Sequence, residues 1–219
     1  MSTTPLHPDP ECPASNREPE PETELQWVPV KTLGAEHRDA IVEHLLALPP
    51  GDRYLRFGHA ASDDQIRRYV DSLVHERDEV FGVFNKHLKL VAFAHLAYPH
   101  EGPCPVAEYG VSVSSHLRGQ GFGKRLFAHA VLRARNRATE MLQIHALAEN
   151  QPMLAIARSA GATVERHGPE AEALLKLPQP DMASRWEAWL ENRAGGIDYS
   201  VKQQTQRLLQ IKSALTHLK

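Results

Sequence analysis

Three alternate glycines, Gly119, Gly121 and Gly123, stand between a stretch of strand character and a stretch of helical character. Glycine gives up the most conformational freedom in ordered backbone, so three together mark a place where the main chain must approach something closely. At a strand-to-helix turn that approach exposes N–H groups at a helix N-terminus, a geometry that suits an anion and phosphate above all. Lys124 and Arg125 fall in the first helical turn and Arg118 lies just upstream. Cations there oppose the helix dipole unless an anion offsets them. A phosphate-bearing ligand accounts for the glycines and the cations together.

Two common phosphate motifs do not fit. A Walker A loop needs a glycine five positions before its Gly-Lys pair and Ser or Thr after it, but arginine occupies positions 118 and 125. A dinucleotide fingerprint Gly-x-Gly-x-x-Gly ends on Lys124 in one register and on Leu126 in the other.

The rest of the chain narrows the class. Its 219 residues suit one domain with appendages, and 42% hydrophobic and 24% charged residues are the composition of a globular protein. A net charge of -2 gives no global argument for nucleic acid or a membrane as partner, and no stretch reaches the ~20 apolar residues of a membrane span. The first residues carry neither a basic nor an apolar signal region, so no secretory leader is expected. Cys12 and Cys104 read as two reduced thiols, which fits a cytoplasmic location. The thirteen histidines show no His-Glu-x-x-His spacing, so no metal is expected.

Residues 1–24, rich in proline and acidic side chains, read as a disordered tail. Leu25 to Val30 alternates around Trp27 as a first strand. Ala35 to Leu48 reads as a helix closed by Pro49-Pro50, and Ser62 caps a second carrying Ile66, Tyr69, Val70 and Leu73 on one face. Strands are predicted over Glu79 to Asn85, Lys89 to Ala97 and Val106 to Ser114. After the glycines come a helix to Asn136, a strand Met141 to Leu147, a helix Gln151 to Ser159 and two closing strands, Thr163 to Arg166 and Ala171 to Leu177. This order gives a mixed α/β domain on one central sheet, residues 25–177. Residues 178–219 form a C-terminal helical extension. There a short helix, Met182 to Asn192, is predicted to break at Ala194-Gly195-Gly196 and resume from Tyr199 to Leu218. Leu208, Ile211, Leu215 and Leu218 repeat at helical spacing, a stripe that must pack on its own domain or on a second copy of the chain.

The pattern Arg118, Gly121, Gly123 resembles the Arg/Gln-x-x-Gly-x-Gly/Ala signature of the GNAT superfamily of acyl-CoA-dependent N-acetyltransferases. The strand Ala107 to Val113 before it, and Asn150 with Gly161 after it, stand at the family's spacing, with Ala162 where an aromatic is usual. The resemblance spans Leu25 to Leu177 and implies a mostly antiparallel mixed sheet with helices on both faces. Within the superfamily, Leu48-Pro49-Pro50 through Arg56-Phe57, then Ser62 to Ile66, is similar to a segment of bacterial protein-lysine acetyltransferases.

The resemblance implies acetyl-CoA as cosubstrate and assigns roles by position. Val111, Ser112 and Val113 offer backbone groups to the pantetheine arm. Arg118, Gly119, Gln120, Gly121, Phe122, Gly123 and Lys124 cradle the pyrophosphate. Asn150 meets the cofactor where two strands part, although an asparagine before a helix is equally an N-cap. Glu108 sits where the lysine-acetyltransferase subgroup carries its catalytic glutamate, and partial burial is expected to raise its pKa; a structural ion pair is the competing account. Many family members carry a tyrosine seven residues after the asparagine, where this chain has Ala157, so that proton donor is absent. Tyr109 is near in sequence but points to the opposite face from Glu108. The expected activity is acetyl transfer to a primary amine, protein lysine ahead of a small molecule. The rival is a non-catalytic acyl-CoA-binding module whose C-terminal helix makes the useful contact. Residues 98–105 are expected to border the acceptor pocket.

Overall fold

The computed structural model describes residues 29–99 and 106–216; the 1–24 tail, most of the predicted Leu25–Val30 strand, and Cys12 and Cys104 lie outside them. Seven strands form one sheet in the order β1-β2-β3-β4-β5-β7-β6. They are β1 Lys31–Thr32, β2 Glu79–Phe84, β3 Leu90–Ala97, β4 Val106–Val113, β5 Met141–Leu147, β6 Thr163–His167 and β7 Glu170–Lys176. All neighbours are antiparallel except β4 and β5. That parallel pair needs a crossover, supplied by α4, Phe122–Asn136.

Alternation along the strands sends apolar side chains to both faces, and each face is covered by helices. On one side Tyr109, Leu142 and Ile144 pack with Leu126, Phe127 and Ala130 of α4 and with Met153 and Ala157 of α5, Gln151–Ser159. On the other, Val80, Phe84, Leu90 and Phe93 meet Ile41 and Leu45 of α1, Arg38–Leu46, and Ile66 and Val70 of α3, Asp63–Asp71. Ser62 caps α3 as its sequence predicts: its side chain accepts from Gln65 N–H while Gln65 returns the bond to Ser62 N–H.

Three sequence readings change. The first strand is Lys31–Thr32, after the proline at 29. Pro49-Pro50 closes the first helix but also opens another: Pro50 is the first residue of α2, Pro50–Phe57. Proline lacks only an N–H that has no intrahelical partner at that position, so it starts helices as readily as it stops them. Finally, Gly195-Gly196 does not break the C-terminal helix, and α6 runs from Met182 to Thr216. A β-carbon on Gly195 would lie 2.1 Å from the Val30 carbonyl oxygen, so the glycine lets α6 pass directly over the chain leading into β1.

Side chains fasten α6 to the domain along one face. Ala188 is buried, Glu191 bonds His129 of α4 at 2.6 Å, Tyr199 meets the Phe84 ring edge-on, and Lys202 donates to the Phe84 carbonyl. The extension packs at home over this stretch; the side chains of Leu208, Ile211, Leu215 and Leu218 lie outside the described residues. Among the described residues, no helix is long and apolar enough to cross a membrane.

Candidate active site

The strand pair at the centre of the sheet stops short. β4 and β5 share three rungs, ending at Glu108 opposite Gln143, while β4 continues to Val113 and β5 to Leu147. The two strands therefore part after Glu108, and a cavity opens on each side of the parting.

The first cavity holds about 460 Å³ and is lined by Val111, Ser112, Val113, Arg118, Gly119, Gly121, Phe122, Gly123, Lys124 and Asn150, all expected from sequence. Gln120 is the exception: it is exposed, and its side chain reaches back to the His116 carbonyl. The turn into α4 is built by backbone that L-residues avoid, with φ of +76° at Gly119 and +81° at Gly121. The first helical bond runs from Arg125 N–H to Gly121 O, which leaves the N–H groups of Phe122, Gly123 and Lys124 at the helix mouth. Lys124 is exposed and makes no ion pair among the described residues. Arg118 is different: its Nη2 lies 2.6 Å from Asp52 of α2, whose other oxygen accepts from Ser115 at 2.9 Å. Arg125 sits deeper; burial lowers its pKa and the Glu191 carboxylate partly opposes this.

Asn150 is seen in one of the two roles given for it, the N-cap, and its position leaves the other open. Its Oδ1 accepts from Met153 N–H as the α5 N-cap, and the residue lines both cavities. Ser112 commits its hydroxyl to His44 Nε2 at 2.9 Å, while His44 Nδ1 donates to the Leu90 carbonyl. Burial lowers the His44 pKa to about 4, so the ring is neutral and ties β4 to α1. Only the backbone of Ser112 is left to face a ligand.

The second cavity, about 490 Å³, is lined by Glu108, Gly110, His145, Glu170 and Glu172, with Tyr109 in its wall. Glu108 is exposed, which overturns the expectation of partial burial: it stands on the last rung of the β4–β5 ladder and its side chain faces the open second cavity. It makes no ion pair among the described residues, so the competing structural account is not seen. Tyr109 points to the other face, as alternation requires, and packs edge-on to Phe127 at 5.2 Å. Ala157 is fully buried in the core and reaches neither cavity. Of residues 98–105, Tyr98 and Pro99 line neither cavity and the remainder lie outside the described residues.

What sequence reasoning missed is α2. Asp52, Leu55 and Arg56 face the first cavity, and Leu55, Arg56 and Phe57 the second. The available signal was proline at a helix start followed by Leu55 and Arg56 on one turn. Among the described residues no cluster of three or more His, Cys, Asp or Glu could hold a metal ion.

Residues 51–162, half of the chain, match the family described as acetyltransferase (GNAT) family. No curated protein sequence matches. Among solved structures, the GNAT domain of S. lividans PAT is 18% identical, with a TM-score of 0.59 over 68% of this chain and 89% of that one. A GNAT superfamily phosphinothricin acetyltransferase from Sinorhizobium meliloti, solved in complex with AcCoA, is 14% identical with a TM-score of 0.55, covering 71% and 94%. A ribosomal-protein-alanine N-acetyltransferase from Brucella melitensis is 17% identical with a TM-score of 0.53, covering 68% and 99%.

Proposed function

Because the chain belongs to the acetyltransferase (GNAT) family and is thus an acetyl-CoA-dependent N-acetyltransferase, we propose that it carries an acetyl group from the first cavity to a primary amine in the second, with Glu108 as general base. The observation that carries this reading is the end of the β4–β5 ladder at Glu108. A cofactor lying against Val111 and Val113 reaches the acceptor through that parting, and Glu108 stands at its edge.

The residues of the first cavity fit an acyl-CoA. The N–H groups at the mouth of α4 and the Lys124 ammonium receive the pyrophosphate, and the absence of side chains at Gly119, Gly121 and Gly123 lets it approach. The main chain of Val111 and Val113 pairs with the pantetheine, and Asn150 holds the cofactor where the strands part. The amine attacks the thioester carbonyl directly, giving its proton to Glu108. The departing thiolate takes a proton from water, as a thiol pKa of about 8.5 permits.

A protein lysine is the favoured acceptor. Glu108, Glu170 and Glu172 give the second cavity an acidic wall suited to a cationic side chain, and the Arg56-Phe57 segment points to the lysine-acetylating subgroup. Residues 25–177 form the catalytic domain, and 178–219 a brace that also offers a surface to a second copy. Leu190, Ile197 and Val201 are exposed on the side of α6 away from Gly195 and Lys202, and the 4-residue and 7-residue spacing suits a paired helix. The two cysteines fit a reducing cytoplasm.

The test is thiol release from acetyl-CoA with lysine-containing peptides and a panel of small amines, beside Glu108→Gln. We expect turnover on peptides and a loss of about 10²–10⁴-fold in the variant at neutral pH. Undiminished turnover by Glu108→Gln sinks the base assignment, and turnover on small amines alone sinks the lysine preference. Sedimentation of the wild type and Ile197→Glu tests the dimer; a wild type that stays monomeric at all concentrations removes it.

A further inference from the structure

Five residues, Leu55, Arg56, Val111, Asn150 and Met153, line both cavities and so mark the boundary where thioester and amine must meet. Arg56 alone among them is charged. Three atoms of its guanidinium, Nη2, Cζ and Nη1, lie 2.7, 2.8 and 2.8 Å from where a Gly110 β-carbon would stand. Near-equal distances mean that the planar group lies flat on β4, and any side chain at 110 would displace it. Gly110 shares a strand face with Glu108, so the cation and the proposed base look onto the parting from the same side.

Arg56 is held but not neutralised. Its Nη2 donates to the Tyr69 hydroxyl at 2.8 Å, and that oxygen is 2.9 Å from His95 Nδ1. Among the described residues no carboxylate pairs with it, and its Nε is buried without a partner. The Phe57 and Tyr69 rings flank the guanidinium at 5.2 and 5.4 Å, and a buried donor without an acceptor costs stability until a ligand oxygen or another acceptor completes it.

We propose, on the basis of the acetyl-transfer reading above, that Arg56 is a second catalytic residue, whose guanidinium stabilises the oxyanion formed on the thioester carbonyl oxygen. As the amine lone pair forms the C–N bond, the carbonyl π pair moves to oxygen beside Arg56 and the N–H proton passes to Glu108. Collapse restores the carbonyl and breaks the C–S bond; the pair leaves on sulfur, which is protonated by solvent. A fixed cation aimed at developing charge needs no reorganisation as that charge forms, which favours the transition state over the ground state. Tyr69 and His95 act behind Arg56 as positioning residues.

Two thioether analogues test this without an acceptor. S-carboxymethyl-CoA places a carboxylate, and the near-isosteric S-acetonyl-CoA a neutral ketone, beside the reacting carbon. Wild type should bind the carboxylate analogue at least about tenfold more tightly. Arg56→Met should erase that preference and leave S-acetonyl-CoA affinity within about threefold, while Arg56→Lys keeps part of it. Tyr69→Phe, which removes only the support, should keep most of it. Equal binding of the two analogues by wild type, an undiminished preference in Arg56→Met, or an equal loss of both analogues there overturns the proposal while leaving the acetyl-CoA reading intact. Failure of wild type to bind either analogue or acetyl-CoA itself overturns both.

Discussion

The Arg118 guanidinium, the cation nearest the start of the glycine turn, is 2.6 Å from the Asp52 carboxylate of α2. A negative charge therefore stands in the wall of the cavity proposed to receive the pyrophosphate. Asp52→Asn keeps an acceptor for Ser115 and removes that charge. Acetyl-CoA affinity should rise about two- to tenfold at low ionic strength, and the gain should shrink as salt screens it. In an Arg118→Ala background most of the gain should disappear. Titration calorimetry on the four proteins decides it, and weaker binding by Asp52→Asn would show that the pair is needed to shape the loop.

Gly121 caps α4 at φ +81°. An L-residue there costs roughly 1–2 kcal/mol in backbone alone. Gly121→Ala should thus weaken acetyl-CoA binding by about tenfold with modest loss of stability. Gly121→Glu, which adds a like charge at the phosphate position, should abolish binding while the far-ultraviolet spectrum stays native. Unchanged affinity in the glutamate variant refutes the placement of the pyrophosphate.

Gly195 has no room for a side chain, because its β-carbon would meet the Val30 carbonyl at 2.1 Å. Gly195→Leu should destabilise by ~1–3 kcal/mol, the usual range for forcing atoms into packed space, or lift α6 from β1. Either outcome lowers the urea midpoint or exposes the chain near Val30 to protease. Gly196, with nothing near its β-carbon position, should accept alanine and gain helix propensity. The contrast between the neighbours is the check.

Stability should fall in mild acid. Burial, and for His95 the Arg56 charge next, hold His44 and His95 at about 4 against an ordinary 6.5. His44 faces Leu90 O, Ser112 and Arg56; His95 faces Tyr69, Asp78, Arg77 and Arg56. With both folded values below the unfolded ones, the unfolded chain binds more protons between those limits. Their contribution is fully present above about pH 6.5 and is lost as pH falls toward 4, on the order of 3 kcal/mol for each ring. His44→Gln should flatten the slope of urea stability against pH by roughly half. A wild-type profile that is level from pH 7 to 4 contradicts the neutral assignment of both rings.

Much of the fold is legible in local chemistry. Met141–Leu147 and Gln151–Ser159 have the predicted limits, because alternation and an asparagine cap are properties of neighbouring residues. The glycine turn was equally readable: Gly119 and Gly121 take positive φ, which glycine adopts without the steric cost that other residues meet. Prolines at 49 and 50 were ambiguous for the same local reason, since one ring ends a helix and the next begins another.

The sequence by itself determined the glycine turn, the strand before it and the family to which they belong, since each is fixed by residue type at short spacing. Tertiary structure alone decided where β4 and β5 part, and with it the exposure of Glu108 and the meeting of two cavities. It alone laid Arg56 on Gly110 and paired Arg118 with Asp52, because α2 reaches β4 across more than fifty residues of chain. It also turned Gly195 from an apparent helix break into a contact. A glycine's meaning depends on what backbone approaches it, and here that backbone comes from the opposite end of the chain.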